Sequence, residues 1–502
     1  RQLPRRQLLA GGTTAALGAA ALALTGCSDS DDDESDATPT SGGGTRPGTP
    51  TAPTPTTAGE VVNKDGINKV RQSAIFATIN PYAGLDSGLT WGFTVFDHLW
   101  YVPLDTGIRE NFLASSIEQQ DPTHFTVKLQ DSVFHDKAPA NGRAVKASDV
   151  KASLEGAAKQ TKISASSWWT QVLDRIDTPD EKTCNFVLKK VDAWTFSYTN
   201  GGSPLAGSII PEEIAKDPTF MDRDLVGSGR FQFVSHENGA NFKLKRNETW
   251  RVKGEPYLAN QHYKLIQEQA AALAAFSAKQ IDGVGLTNKL EREQLEKQLG
   301  KDIVVDSVDS RAVWLVQTRA DGAFAVERVR RAIYLALDRK EMITLLALGE
   351  GKLSGAVPPA FGEANTAAEV EATWGKTDVA EAKRLLAATT FDISKEYSIK
   401  YIVPGDTYQQ FAQIVKSQLE KNLGLKIKLI GEDFGKWLSQ SLYGSDYDSF
   451  ITYPTLEYDD PSSYIGGYAK TIGGRPNWAA LVDDELDGLV QKQKEILDDK
   501  ER

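Results

Sequence analysis

From Val61 onward, short apolar runs of period two alternate with longer runs whose apolar residues recur at helical spacing. That alternation is the grammar of an α/β fold. Phe125-Thr126-Val127-Lys128-Leu129, Cys184 to Leu188 and Phe231-Gln232-Phe233-Val234 each read as a half-buried strand. Ser148 to Lys159 places Val150, Leu154, Ala157 and Ala158 on one helical face, with Ser148 or Asp149 able to accept from the free amides at its start. Val326, Val329, Ile333 and Leu337 mark another helix. Asp338-Arg339-Lys340-Glu341 then reads as a capping box that opens a helix to Leu348, ended by Gly349. Asp378 to Ala388 gives a short helix. Tyr408 to Leu423 gives a longer one, stopped by Gly424 and feeding the strand Leu425 to Leu429, as in a βαβ-type crossover. The chain has 502 residues, 40% of them hydrophobic, with 10 Trp, 15 Tyr and 19 Phe, which is more core than one small domain needs. Two lobes are therefore expected.

Ahead of Val61 the composition is of another kind. Arg5-Arg6 precede an uncharged run from Gln7 to Ser28, rich in Ala, Leu, Gly and Thr, in the manner of a twin-arginine export signal. The run closes on Leu24-Thr25-Gly26-Cys27, which reads as a bacterial lipobox with Cys27 as the lipidation site. The Gly and Thr pairs at 11–14 suit a membrane-spanning helix poorly. Residues 28–60 are acidic and then Thr-, Pro- and Gly-rich, a tether of about 30 residues that reaches up to roughly 100 Å when extended. The first residue is Arg and the chain stops within a charged helical stretch, so a fragment is expected at both ends. Lys and Arg number 57 against 68 acidic residues, a net charge of −11 with no basic block in the body, which argues against a nucleic-acid partner. Cys27 and Cys184 fall on either side of the signal boundary, so no internal disulfide is expected, and Cys184 reads as a small buried thiol.

Several ordered motifs carry a resemblance. They are Asn80-Pro81; Asn111 to Phe125; Val133-Phe134-His135-Asp136 with Asn141-Gly142-Arg143 and Ala147-Ser148-Asp149-Val150; Val226-Gly227-Ser228-Gly229-Arg230-Phe231; Leu244 to Trp250; and Val329-Arg330-Arg331-Ala332-Ile333 with Ala336-Leu337-Asp338-Arg339. Together they resemble the extracellular solute-binding proteins of family 5, the oligopeptide-, dipeptide- and nickel-binding proteins of ABC importers. Lys137 and Arg230 depart from that pattern, standing where Gly and Pro are usual. The resemblance implies a two-lobed, periplasmic-binding-protein-like α/β fold (type II, cluster C) with a hinge. Lobe one is then 61–265 plus 477–502, with an inserted subdomain at about 91–190, and lobe two is 266–476. It further implies a monomeric lipoprotein on the outer face of the cell membrane or in the periplasmic space, which closes on a peptide and delivers it to ABC permease subunits. No cofactor and no metal are implied. The same role for an oligosaccharide, nickel chelate or haem is the alternative.

For an enzyme, a nucleophile, metal set or cofactor loop is needed. His98, His124, His135, His236 and His262 never stand three or four apart, so a helical two-His zinc motif is absent. Ser148-Asp149-Val150-Lys151 matches Ser-x-x-Lys, the motif of tethered serine acyl enzymes, but no Lys-Thr-Gly follows, and a helix start explains the same residues. Gly227-Ser228-Gly229 has no third Gly at Gln232, so a tight turn is the reading there. Trp168-Trp169 and the series Tyr447, Tyr453, Tyr458, Tyr464, Tyr468 suit either a ligand cleft or a core. In the family, a carboxylate followed by Tyr holds a peptide's amino terminus. Anchoring on Pro461 carries that role to Glu457, with Tyr458 beside it and Asp459 or Asp460 as substitutes.

Overall fold

The computed structural model describes residues 64–502 apart from 74–77, 83–90, 102–108, 160–169, 199–206, 308–312, 374, 404, 443, 445, 454–459, 470–476 and 499. The expected signal, the tether and Cys27 lie outside the described residues, as do Trp168, Trp169, Glu457, Tyr458 and Asp459.

The described chain opens on strand β1 (Ile67–Gln72), and a short antiparallel pair follows, β2 (Trp100–Tyr101) with β3 (Glu110–Asn111). Next come β4 (Ala114–Asp121), β5 (His124–Leu129), helix α1 (Ala147–Ala158), β6 (Leu173–Asp177) and β7 (Thr183–Leu188). The last four strands form an antiparallel sheet in the order β4-β5-β7-β6. The period-two pattern read at Phe125–Leu129 is its cause. Phe125, Val127 and Leu129 point inward, and Phe125 stacks on Phe186 of β7 at 4.6 Å. Helix α1 begins at Ala147 and buries Val150, Leu154 and Ala157. Of the two capping residues expected, Asp149 takes the role, accepting from the Lys146 amide at 2.9 Å.

Strands β8 (Phe231–Glu237), β9 (Asn241–Arg246) and β10 (Asn260–Leu265) then join β1 in the order β1-β10-β9-β8, with β1 and β10 parallel. One apolar cluster runs through both sheets, from Phe125 and Phe186 to Phe231, Phe242 and Leu244. At its centre Trp91, fully buried, stacks on Phe242 at 4.2 Å. Side chains of this size each contribute about 1.5–3 kcal/mol on full burial, so the inserted sheet and the β1 sheet stabilise one another. Gly227 makes the join tight: a Cβ there would stand 2.0 Å from the Val95 carbonyl oxygen. His135 seals the same turn, accepting at Nδ1 from the Gly227 amide at 3.3 Å while Nε2 lies 3.1 Å from the Gly229 carbonyl. Burial holds its pKa down at about 4, so the ring is neutral and structural.

Helices α2 (Gln269–Ser277) and α3 (Lys289–Leu299) follow, packed in a small cluster of their own around Phe276, Ile281 and Leu295. Both backbone groups of Lys69 on β1 bond to Asp282, and Arg292 on α3 pairs with Glu350 at 2.7 Å, so this unit touches both lobes.

The second lobe is built from β11 (Leu315–Thr318), α4 (Glu327–Ala336), α5 (Arg339–Ala347), α6 (Val379–Ala387), β12 (Glu396–Val403), α7 (Asp406–Leu423), β13 (Lys426–Asp433) and β14 (Ser449–Thr452). Its sheet runs β11-β14-β12-β13, with β12 parallel to both neighbours and β11 antiparallel at the edge. Val329, Ala332, Ile333 and Ala336 of α4 meet Phe411, Val415 and Leu419 of α7 over Ile399 and Ile427 of the sheet. Of the signals read from the sequence, Asp338 accepts from the Glu341 amide at 3.0 Å and Gly424 ends α7 at φ 71°. The expected capping box is only half formed, because Gln418 rather than Glu341 accepts from the Asp338 amide, at 2.8 Å. Asp378, not read as a cap, accepts from the Glu381 amide at 3.0 Å. The chain then returns to lobe one through α8 (Asp484–Lys494), where Val490 joins the first core and the Lys494 carbonyl accepts from the Ala193 amide at 2.6 Å. Among the described residues no helix is long and apolar enough to cross a membrane.

Candidate functional site

In sheets with parallel strands, ligands collect outside the carboxyl ends. Strands β12, β13 and β14 run parallel, so those ends lie together, and three half-buried rings stand there. Trp314 precedes antiparallel β11, Tyr408 sits in the first turn of α7, and Tyr453 follows β14. Register brings Leu315 opposite Thr452, and that places Trp314 5.0 Å from Tyr453, with Tyr408 4.9 Å from the indole on another side. Burial pushes the Tyr408 phenol up to about 12, and it takes a hydrogen bond from the Tyr453 backbone. Rings held in this way present flat apolar faces with polar rims, the lining of a small-molecule cleft.

In lobe one, parallel β1 and β10 end side by side, and the Ile266 amide continues the pairing by donating to the Gln72 carbonyl at 2.9 Å. Arg71 fixes the chain as it leaves β10. Its guanidinium donates to the carbonyls of Ile266 and Gln267, each at 3.0 Å, and to Gln269 Oε1 at 2.6 Å. Further along, the Ala320 amide donates to the Ala479 carbonyl at 2.5 Å and the Trp478 amide to that of Gly467 at 2.9 Å.

The residues singled out from the sequence divide. Tyr453 stands at the carboxyl edge. Asp460 is buried and its oxygens are engaged within the chain: Oδ1 accepts from the Ser462 amide and hydroxyl at 2.9 and 2.5 Å, and Oδ2 accepts from Arg502 at 2.6 Å. Tyr447 and Tyr464 are buried, Tyr447 against Phe450 at 4.7 Å, so these two rings belong to the interior. Tyr468 is half-buried, with its phenol pushed up to about 12. Ser148 and Lys151 do not form a nucleophile and base: Ser148 bonds to Glu212, while Lys151 pairs with Glu155 at 3.8 Å. Cys184 is buried, and burial raises its thiol to about 12, which leaves it inert. Among the described residues no three His, Cys, Asp or Glu gather as metal ligands. Trp314, Tyr408 and Arg71 were not singled out from the sequence as site residues.

Two sheets, each with parallel strands ending at one edge and each in its own lobe, fit a two-lobed, periplasmic-binding-protein-like fold. The chain belongs to the bacterial extracellular solute-binding proteins of family 5, whose middle region matches residues 110–474. It is 24% identical over 413 residues to the oligopeptide-binding protein AppA of Bacillus subtilis, spanning 78% of this chain and 73% of that protein. The structure of AppA in complex with a nonapeptide superposes with a TM-score of 0.74 at 20% identity, covering 87% of this chain and 88% of that one. DppA of Helicobacter pylori with the peptide STSA gives 0.74 at 19% identity over 87% and 88%. AgaA of Agrobacterium tumefaciens R10 with agropinic acid gives 0.72 at 23% identity over 87% of each chain.

Proposed function

We propose that this chain captures peptides outside the cell by closing its two lobes on them and hands them to the permease of an ABC importer. The observation that carries the reading is the paired carboxyl edges, aromatic on the lobe-two side and leading into the Arg71 clamp on the lobe-one side. A peptide held there strand-like would spend its amides on the lobe edges and its side chains in wet pockets, which gives breadth of ligand. Glu457 reads the peptide's amino group, with Tyr458 and Asp459 beside it and Trp168 and Trp169 facing the ligand. Asp460 is already engaged by Ser462 and Arg502. The role is capture without chemistry. AgaA's small organic acid supports a second reading, in which the same cleft takes a non-peptide solute.

Closure requires the ligand to bind the closed form better than the open one. A saturating peptide is therefore expected to reduce the radius of gyration in small-angle scattering and to raise the melting temperature, at one hundred times its Kd by the equivalent of about 2.7 kcal/mol. An unchanged radius at saturation would rule out closure. Anchoring is assigned to Cys27, after twin-arginine export and cleavage before it, since two chains plus an acylated amine hold a protein on a bilayer stably where one chain does not. Fatty-acid labelling in cells should mark the wild type and not Cys27→Ser; equal label in both would refute the anchor.

A further inference from the structure

The sheet β1-β10-β9-β8 turns one face to the first core, through Val70, Tyr263, Phe242 and Leu244. Its other face is basic. Register lays Lys69 of β1, His262 of β10 and Lys243 of β9 in one row, and sets Arg71 beside Lys264 in the next. Lys245 follows Lys243 on the same side of β9. Lys69, Lys243, Lys245 and Lys264 are exposed, and the ammonium groups of the last three have no hydrogen bond or ion pair with any described residue. The only acid in the four strands is Glu237, which accepts from the Asn241 side chain at 2.7 Å. Off the strands, Asp282 stands beside Lys69 and Glu291 near Arg71, both at the β1 edge. The lysines of β9 and β10 are thus left with Glu237 in a protein whose net charge is −11. Like charges set side by side across strands repel. Burial and the Lys243 ammonium together hold the His262 imidazole below its ordinary pKa.

An acidic partner is what this face lacks, and the same chain carries one. Residues 29–36 hold Asp29, Asp31, Asp32, Asp33, Glu34 and Asp36 and no base. Between them and Lys64 stand residues 37–63, whose only charges are Arg46 and Glu60. Strand β1 opens at Ile67, so this stretch enters the fold at the edge of the basic face. Its length reaches up to roughly 80 Å, whereas β1 and β9 lie only about 10 Å apart. Both partners belong to one chain, which raises their effective concentration to about the millimolar range. We propose that the acidic segment 29–36 docks on the lysine face of this sheet, in a contact held by charge. The segment begins two residues after Cys27, so docking holds the body of the protein near that cysteine instead of at the full reach of 37–63.

The test is zero-length carbodiimide cross-linking of the full chain, mapped by mass spectrometry of the monomer. In dilute salt, residues 29–36 are expected to join Lys243, Lys245 and Lys264 at least about fivefold more often than Lys383 and Lys426, exposed lysines of lobe two. About 0.5 M salt, with a Debye length of about 4 Å, should erase that preference. In the double variant Lys243→Gln and Lys245→Gln, both changes being exposed, the yield at Lys264 should drop at least about threefold. The proposal is overturned if cross-links spread evenly over exposed lysines, if the Lys264 yield survives the double variant, or if joins form only between molecules. Vesicles rich in phosphatidylglycerol check the other anionic surface. Binding to them that needs Lys243 and Lys245, with no cross-link inside the chain, would give the face to the membrane and overturn the proposal as well.

Discussion

Asp149→Ala is expected to lower the unfolding free energy by about 3–5 kcal/mol, the cost of breaking a buried charge pair and stranding its partners. Asp149 is fully buried, and four groups converge on its carboxylate. Arg143 approaches in a fork, NH1 at 2.9 Å and NH2 at 2.6 Å, while the amides of Lys146 and Glu212 donate at 2.9 Å each. The Arg143 guanidinium also reaches Glu213 at 2.6 Å, and these two acids raise its pKa above the ordinary value. Removing Asp149 therefore uncaps α1, frees the Glu212 amide and leaves Arg143 with the exposed Glu213 as its one acidic partner. Asp131→Ala is the control, because its carboxylate is fully exposed although it sits 3.1 Å from Lys182. That variant should unfold at the wild-type urea midpoint. Urea unfolding of both would decide it, and equal losses would mean that the Asp149 network holds nothing together.

The local grammar of this fold was legible in the sequence. The Asp338 side chain and Gly424 act within a few residues of themselves, so their capping roles could be read without knowing the fold, whereas the other half of the Asp338 box went to Gln418, 80 positions away. The inward face of β5 followed in the same way from Phe125, Val127 and Leu129. The start of α1 was legible to within one residue, because either Ser148 or Asp149 could have capped it locally. The choice was made by Arg143 and by Glu212, 63 positions further along. The cleft edge was less legible for the same reason. Trp314 and Tyr453 meet because β11 pairs with β14 far along the chain, and no local pattern encodes that register. Arg71 reaches Ile266 across 195 positions, and its clamp is equally invisible to spacing. The tyrosine series shows how composition misleads: Tyr447 and Tyr464 went into the interior, while Tyr453 stayed at the edge.

The largest effect on binding is expected at the ligand's amino group. If closure encloses a peptide ammonium against the Glu457 carboxylate, both lose water and must satisfy one another, so removing either should cost roughly 2–5 kcal/mol. That is about thirtyfold to several thousandfold in Kd. A carboxylate left in solvent would contribute about 0–1 kcal/mol. Glu457→Gln with free and N-acetylated peptide completes a double-mutant cycle, in which the two losses should not add. If acetylation weakens binding while Glu457→Gln does not, Asp459 becomes the reader and the peptide assignment stands. The most direct measurement is titration calorimetry of the wild type with one peptide in its free and N-acetylated forms. Our reading predicts that acetylation weakens binding at least thirtyfold; equal affinity for both forms, or no binding of either, would contradict it.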